Sequence, residues 1–178
     1  ALYPTPGLVQ EFALYPGQVR GMRALSGGKY MVVVAAQYVY SITTAGVVTQ
    51  IGTLTTSAGY VSITDNQTTN NGLTAYIVDG SNRYYWVASS NTFAVLPSTD
   101  GPWQGASICD VVDNYIIYNE PNTQNWAATD IGLVTSTAAY YGSKDGSPDN
   151  LLSLIVDHRQ VFLLGENTTE VWIDVGSQ

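Results

Sequence analysis

An all-β fold is predicted by this 178-residue sequence: a β-propeller of about three and a half four-stranded blades belonging to a larger ring. Three observations carry the prediction. Short runs rich in Val, Ile, Tyr and Trp alternate with turn residues, which marks strands rather than helices. The runs recur: first strands start near Met22, Val61, Ala106 and Leu151, spaced by 39, 45 and 45, and third-strand aromatics at Tyr40, Trp86, Trp126 and Trp172 are spaced by 46, 40 and 46. A period of about 40–50 residues with four short strands is the mark of a propeller blade. Finally, Tyr30–Ala36, Tyr115–Tyr118 and Val161–Leu164 are apolar on both faces, as sheets stacked face to face require. A β-sandwich is the alternative, and its strands would alternate polar and apolar positions.

The elements follow in order. Residues 1–20 form a Pro-punctuated arm, with Tyr3-Pro4-Thr5-Pro6-Gly7 and Tyr15-Pro16-Gly17, because proline cannot donate to a central ladder. The first blade, 21–54, has strands over Gly21–Ser26, Lys29–Ala36, Gln37–Thr44 and Val47–Leu54, and Gly27-Gly28 supplies a hairpin turn of positive φ. The second, 60–98, has Tyr60–Thr64, Leu73–Val78, Arg83–Ala88 and Phe93–Leu96. The third, 105–141, has Gly105–Val112, Tyr115–Tyr118, Gln124–Ile131 and Leu133–Tyr141, and Ser143–Asn150 is a loop. The fourth, 151–178, is incomplete: Leu151–Val156, a tight turn over Asp157–Gln160, Val161–Leu164 and Glu170–Val175 leave no fourth strand. The chain is therefore expected to be a piece of a larger protein.

Composition narrows the function. Charged residues are 11% of the chain, and the net charge is −8. The six bases, Arg20, Arg23, Lys29, Arg83, Lys144 and Arg159, stand singly, whereas a nucleic-acid surface needs them clustered. No direct grip on DNA or RNA is expected. No run approaches the roughly 18 apolar residues of a membrane-spanning helix.

Chemistry is sparse. A nucleophile needs a positioned base. The one cysteine, Cys109, lies in an apolar strand and reads as a small core residue, and the one histidine, His158, lies in a turn. No catalytic residue, cofactor site or metal site is assigned. The acids, such as Asp65, Asp79, Asp110, Asp113, Asp157, Glu166 and Glu170, fall mostly in turns, where Asp bonds the backbone. Ser98–Trp103 and Ser143–Gly146 only faintly resemble the Asp-box turns of sialidase propellers. Asp145–Asn150 could offer oxygen ligands to calcium but lacks the twelve-residue loop pattern, so a plain loop is expected. Ser26-Gly27-Gly28-Lys29 leads into a strand, unlike a phosphate loop.

One stretch is more specific. Asp157-His158-Arg159, Phe162–Glu166 and Thr169–Trp172 resemble a segment of the packaged-DNA stabilisation proteins of short-tailed bacteriophages, the tail accessory or tail-hub proteins. Within it Asp157, Arg159, Gly165, Glu166, Glu170 and Trp172 are the family-like, structural residues. Looser similarity lies at Thr5–Leu8, Arg20–Met22, Gly28–Tyr30, Gln37–Tyr40, Val61–Ile63 and Ile77–Gly80. The resemblance implies a non-enzymatic virion protein, made in the host cytoplasm and placed at the portal vertex. It implies a homo-oligomeric ring beneath the portal-adaptor ring that helps close the channel, retains packaged DNA, and docks tail needle and tailspike. A carbohydrate-binding or carbohydrate-cleaving propeller is the alternative, with Trp103 and Trp126 as its aromatic candidates. A generic scaffold for protein partners is a third reading.

Overall fold

The computed structural model describes residues 11–67, 72–137 and 140–175. It is all-β, with fifteen strands in four antiparallel sheets. Each sheet is a meander in chain order, and each is one propeller blade. The first holds β1 (Val19–Ala24), β2 (Tyr30–Ala35), β3 (Tyr38–Thr43) and β4 (Val48–Thr53). The second holds β5 (Ser62–Asp65), β6 (Thr74–Val78), β7 (Arg83–Val87) and β8 (Thr92–Val95). The third holds β9 (Cys109–Val112), β10 (Tyr115–Asn119), β11 (Asn125–Ala128) and β12 (Tyr141–Ser143). The fourth holds three strands, β13 (Leu151–Asp157), β14 (Gln160–Gly165) and β15 (Thr169–Ile173).

The inner strands β1, β5, β9 and β13 neighbour one another in that order, so the blades succeed one another around an axis. Three apolar clusters fill the seams. Val34, Val39, Ile77 and Trp86 belong to the seam between blades one and two. Tyr76, Val78, Val111 and Ile116 belong to the second seam. Ile117, Ala128, Leu154 and Leu163 belong to the third. A middle blade is covered on both faces, and all five residues of β6 are buried. Each buried aliphatic side chain contributes about 1.5–3 kcal/mol, so these seams hold the sheets in order. Among the described residues no such cluster joins blade four to blade one.

Turn chemistry sets the hairpins. Gly27 and Gly28 take φ of 79° and 66°, and the pair His158-Arg159 takes 47° and 65°. His158-Arg159 is a two-residue turn between Asp157 and Gln160, whose positive φ suits the right-handed twist of the strands it joins, and Gly27-Gly28 sits in a four-residue connection between Leu25 and Tyr30. One element differs from the sequence reading. The fourth strand of blade three is Tyr141–Ser143, not Leu133–Tyr141. Residues 129–136 are turned aside by hydrogen bonds: Leu133 N donates to Asp130 O, Gly132 N to Asn114 O, and Ser136 N to the Asp100 carboxylate. The described part of the arm, from residue 11, crosses the outer part of blade one. The Tyr15 ring lies 4.6 Å from that of Tyr38, and Ala36 N donates to Gln18 O. The expectations placed on residues 1–10 lie outside the described residues.

Candidate functional site

The residues singled out in the last stretch sit at the two ends of blade four. Asp157 and Arg159 belong to the β13–β14 turn. This turn borders a polar cavity of about 430 Å³ at one end of the axis, lined also by Arg23, Asp110, Asp113 and His158. Charges are paired off within it. Arg159 Nε donates to Asp113 Oδ2 at 2.6 Å, joining the hairpin turns of blades three and four. Arg23 reaches from blade one to Asp110 on blade three at 3.4 Å, and Asp110 also accepts from Val156 N at 2.9 Å. His158 Nδ1 lies 2.7 Å from Asp157 Oδ1, and that carboxylate raises the imidazole's pKa.

At the opposite end, the loop 144–150 is fastened to the β14–β15 turn. The Lys144 ammonium is fully buried and bonds Ser147 O, Asp149 and Thr168. Asp149 also accepts from Asn167 N and Thr168 N, and the Lys144 bond foremost holds its carboxyl down to about 2. The oxygen-rich loop considered for calcium thus already surrounds a cation, the lysine's own. Gly165 is required here, because a Cβ would clash with the Asp149 carboxylate. Glu166 accepts from Asn150 Nδ2 at 3.1 Å. Glu170 accepts from Ser147 N and from Trp172 Nε1. Trp172 stands edge-on to Trp126, ring centres 5.3 Å apart, across the third seam. The six residues do not converge on one spot; they fasten the fourth blade at both ends.

The structure adds a set that sequence reasoning missed. Three of the six bases, Arg20, Arg83 and Lys144, are buried at 4%, 0% and 0% exposure. Arg20 spreads its guanidinium over Ala36 O, Thr56 O, Ala58 O and Gly59 O, clasping the connection from blade one to blade two. Arg83 bonds the Asp100 carboxylate at 3.1 Å and the Asp100 carbonyl, and lies 4.7 Å from the centre of the Tyr118 ring. Such planar, many-donor heads suit buried fork-shaped sites. Arg23 and Arg159 are paired as well, with Asp110 and Asp113.

The two aromatic candidates for a sugar platform are engaged in packing. Trp103 donates Nε1 to Asn119 O and meets Tyr118 edge-on. Trp126 lies on β11 against the third seam. Cys109 is buried, and burial pushes its thiol up to about 12, so it is a core residue. Among the described residues no group of three or more His, Cys, Asp or Glu could hold a metal ion.

The sequence profile of one family, described as Bacteriophage P22 Gp10, beta-propeller, matches residues 1–178. The chain belongs to this phage-stabilisation family. It is therefore a phage structural protein of a DNA-stabilising family and a virion component. No curated protein matches. Solved structures match at the level of fold. The computationally designed Ika4 protein is 15% identical over 89% of this chain and 92% of its own, with a TM-score of 0.57. The Pan2 WD40 domain of Neurospora crassa is 13% identical over 86% of this chain and 48% of its own, TM-score 0.57. A chain of the mitotic checkpoint complex is 14% identical over 97% and 55%, TM-score 0.57. The chain thus spans about half of each of the last two.

Proposed function

We propose that this protein is part of the head-to-tail connector, or tail hub, of its phage, where it helps close the portal channel and keep packaged DNA inside. It works as a homo-oligomer against the portal-adaptor ring, and tail needle and tailspike dock beside it. The family match over residues 1–178 carries the reading. The charge distribution supports a mechanism of blocking rather than holding. Three bases are buried and two are paired with carboxylates, against 14 acids in the whole chain. Such a surface repels phosphate, since affinity for DNA comes from neutralising phosphates with free Lys and Arg.

The test is a DNA-retention assay. Heads filled in the absence of the protein are mixed with purified protein, and nuclease-resistant DNA is measured. Retention should rise to the level of complete particles, and free DNA should show no mobility shift at physiological salt. Heads that leak as fast with the protein as without it would overturn the reading. So would tight binding to free DNA.

A further inference from the structure

We propose that each connection between blades is a cage folded around one buried cationic side chain, and that the match of the cation's N–H donors to the cage's oxygens fixes the path from one blade to the next. This does not rest on the proposed function. The described chain has three such connections, 54–61, 96–108 and 144–150, each between the last strand of one blade and the first of the next. Each holds one of the three buried bases: Arg20 in the first, Arg83 in the second and Lys144 in the third. The other three bases, Arg23, Lys29 and Arg159, are exposed.

Donors and oxygens are closely matched in number. A guanidinium carries five N–H donors and an ammonium three. Arg20 makes five bonds, from Nε to Gly59 O, from Nη1 to Thr56 O and Ala36 O, and from Nη2 to Ala58 O and Thr56 Oγ1, all between 2.6 and 2.9 Å. Lys144 makes three, to Ser147 O, Asp149 Oδ1 and Thr168 Oγ1. Arg83 makes four, to Gln104 O, Asp100 O, Asp100 Oδ1 and Tyr76 OH, and its head lies on the Tyr118 ring. Most of these oxygens are main-chain carbonyls outside the strands, where no ladder neighbour can serve them. A buried carbonyl left without a donor costs about as much as a lost hydrogen bond.

Every cage also reaches the blade that follows it. Thr56 Oγ1 accepts from Arg20 of blade one and donates to Asp79 of blade two at 2.7 Å. Asp100, held by Arg83 of blade two, accepts from Ser136 N of blade three at 3.1 Å. Asp149, held by Lys144 at the end of blade three, accepts from Asn167 N and Thr168 N of blade four. Apolar packing in the seams is non-directional and does not by itself align one sheet on the next. Hydrogen bonds are directional, and the cations supply them where the chain crosses. A three-donor ammonium cannot serve the five oxygens around Arg20, so Arg and Lys are not interchangeable there.

The experiment is peptide-resolved hydrogen–deuterium exchange of the wild-type chain, R20K and K144A, with free cations as probes. R20K keeps the charge and drops two donors. Exchange in 54–61 should quicken about tenfold, as one orphaned buried acceptor implies, while 96–108 and 144–150 keep their rates. K144A should loosen 144–150 in the same local way. n-Propylammonium, the part of the side chain removed, should restore protection there, and tetramethylammonium, which has the charge but no N–H, should not. K144M, which fills the space without donors, replaces K144A if that variant does not fold, and should loosen 144–150 alone. An R20K chain that exchanges like wild type, or that loosens evenly through all four blades, would overturn the proposal. So would a position-144 variant with unchanged exchange in 144–150, or a K144A chain that both ammonium ions protect equally or neither protects.

Discussion

Blades two and four are built from similar residues and end in different states. Blade two carries Tyr76, Ile77 and Trp86 on strands packed from both sides, and each of these residues is at most 2% exposed. Blade four carries Phe162, Val171 and Ile173 on strands packed from one side, and Ile173 is 63% exposed. Apolar patterning alone does not separate them, because both read as strands with two apolar faces. What separates them is the presence of a neighbour. In a stacked-sheet architecture, a strand's burial is a property of the adjacent blade as much as of its own sequence.

The largest effects that sharpen this contrast should come from the buried side of blade two. Arg83→Met leaves Asp100 buried without its partner, and breaking a buried pair costs about 3–5 kcal/mol. Urea unfolding followed by fluorescence should show that loss. Trp86→Ala empties a site walled by Tyr30 and hydrogen-bonded to Asn91, and should cost about 3–5 kcal/mol in the same assay. A loss below about 1 kcal/mol for either would place blade two with the surface of the molecule.

A smaller, pH-dependent effect belongs to the fastening of blade four. Asp149 has its carboxyl held at about 2 against an ordinary 3.8. A lowered pKa contributes stability that is present above the ordinary value and lost as pH falls toward the lowered one. The urea midpoint should therefore drop between about pH 4 and pH 2, and Asp149→Asn should flatten that drop. An unchanged slope in the variant would assign the acid sensitivity elsewhere. The smallest effect should be Val171→Ala, within about 0.5 kcal/mol in the monomer, as for exposed positions generally. A cost above about 2 kcal/mol would mean that its face is covered in solution.

Much of the fold is legible in the sequence because its signals are local. Gly27-Gly28 announces a hairpin, Tyr30–Ala35 announces an inner strand, and the spacing of the third-strand aromatics announces the blades. The strand at Tyr141–Ser143 was not legible. The bonds that pull residues 129–136 away include one from Ser136 to Asp100, thirty-six positions earlier. The buried bases were hidden for the same reason. Arg20 finds Gly59 thirty-nine residues on, and Lys144 finds Thr168 twenty-four residues on. Six scattered charges look like surface until those distances are closed. The roles of Asp157, Arg159, Gly165, Glu166, Glu170 and Trp172 were legible only as a group. Their division between an axial turn and a loop clasp follows from the register of β13, β14 and β15.

Cys109 sits on the seam between blades two and three, its amide bonded to Ser62 Oγ at 3.2 Å. Its thiol is buried and pushed up to about 12, so alkylating reagents, which attack the thiolate, find almost none of it in the closed form. With one cysteine in the chain, labelling has a single site and no background. The rate of labelling then becomes a clock for how often two neighbouring blades part, read on the intact protein without denaturant.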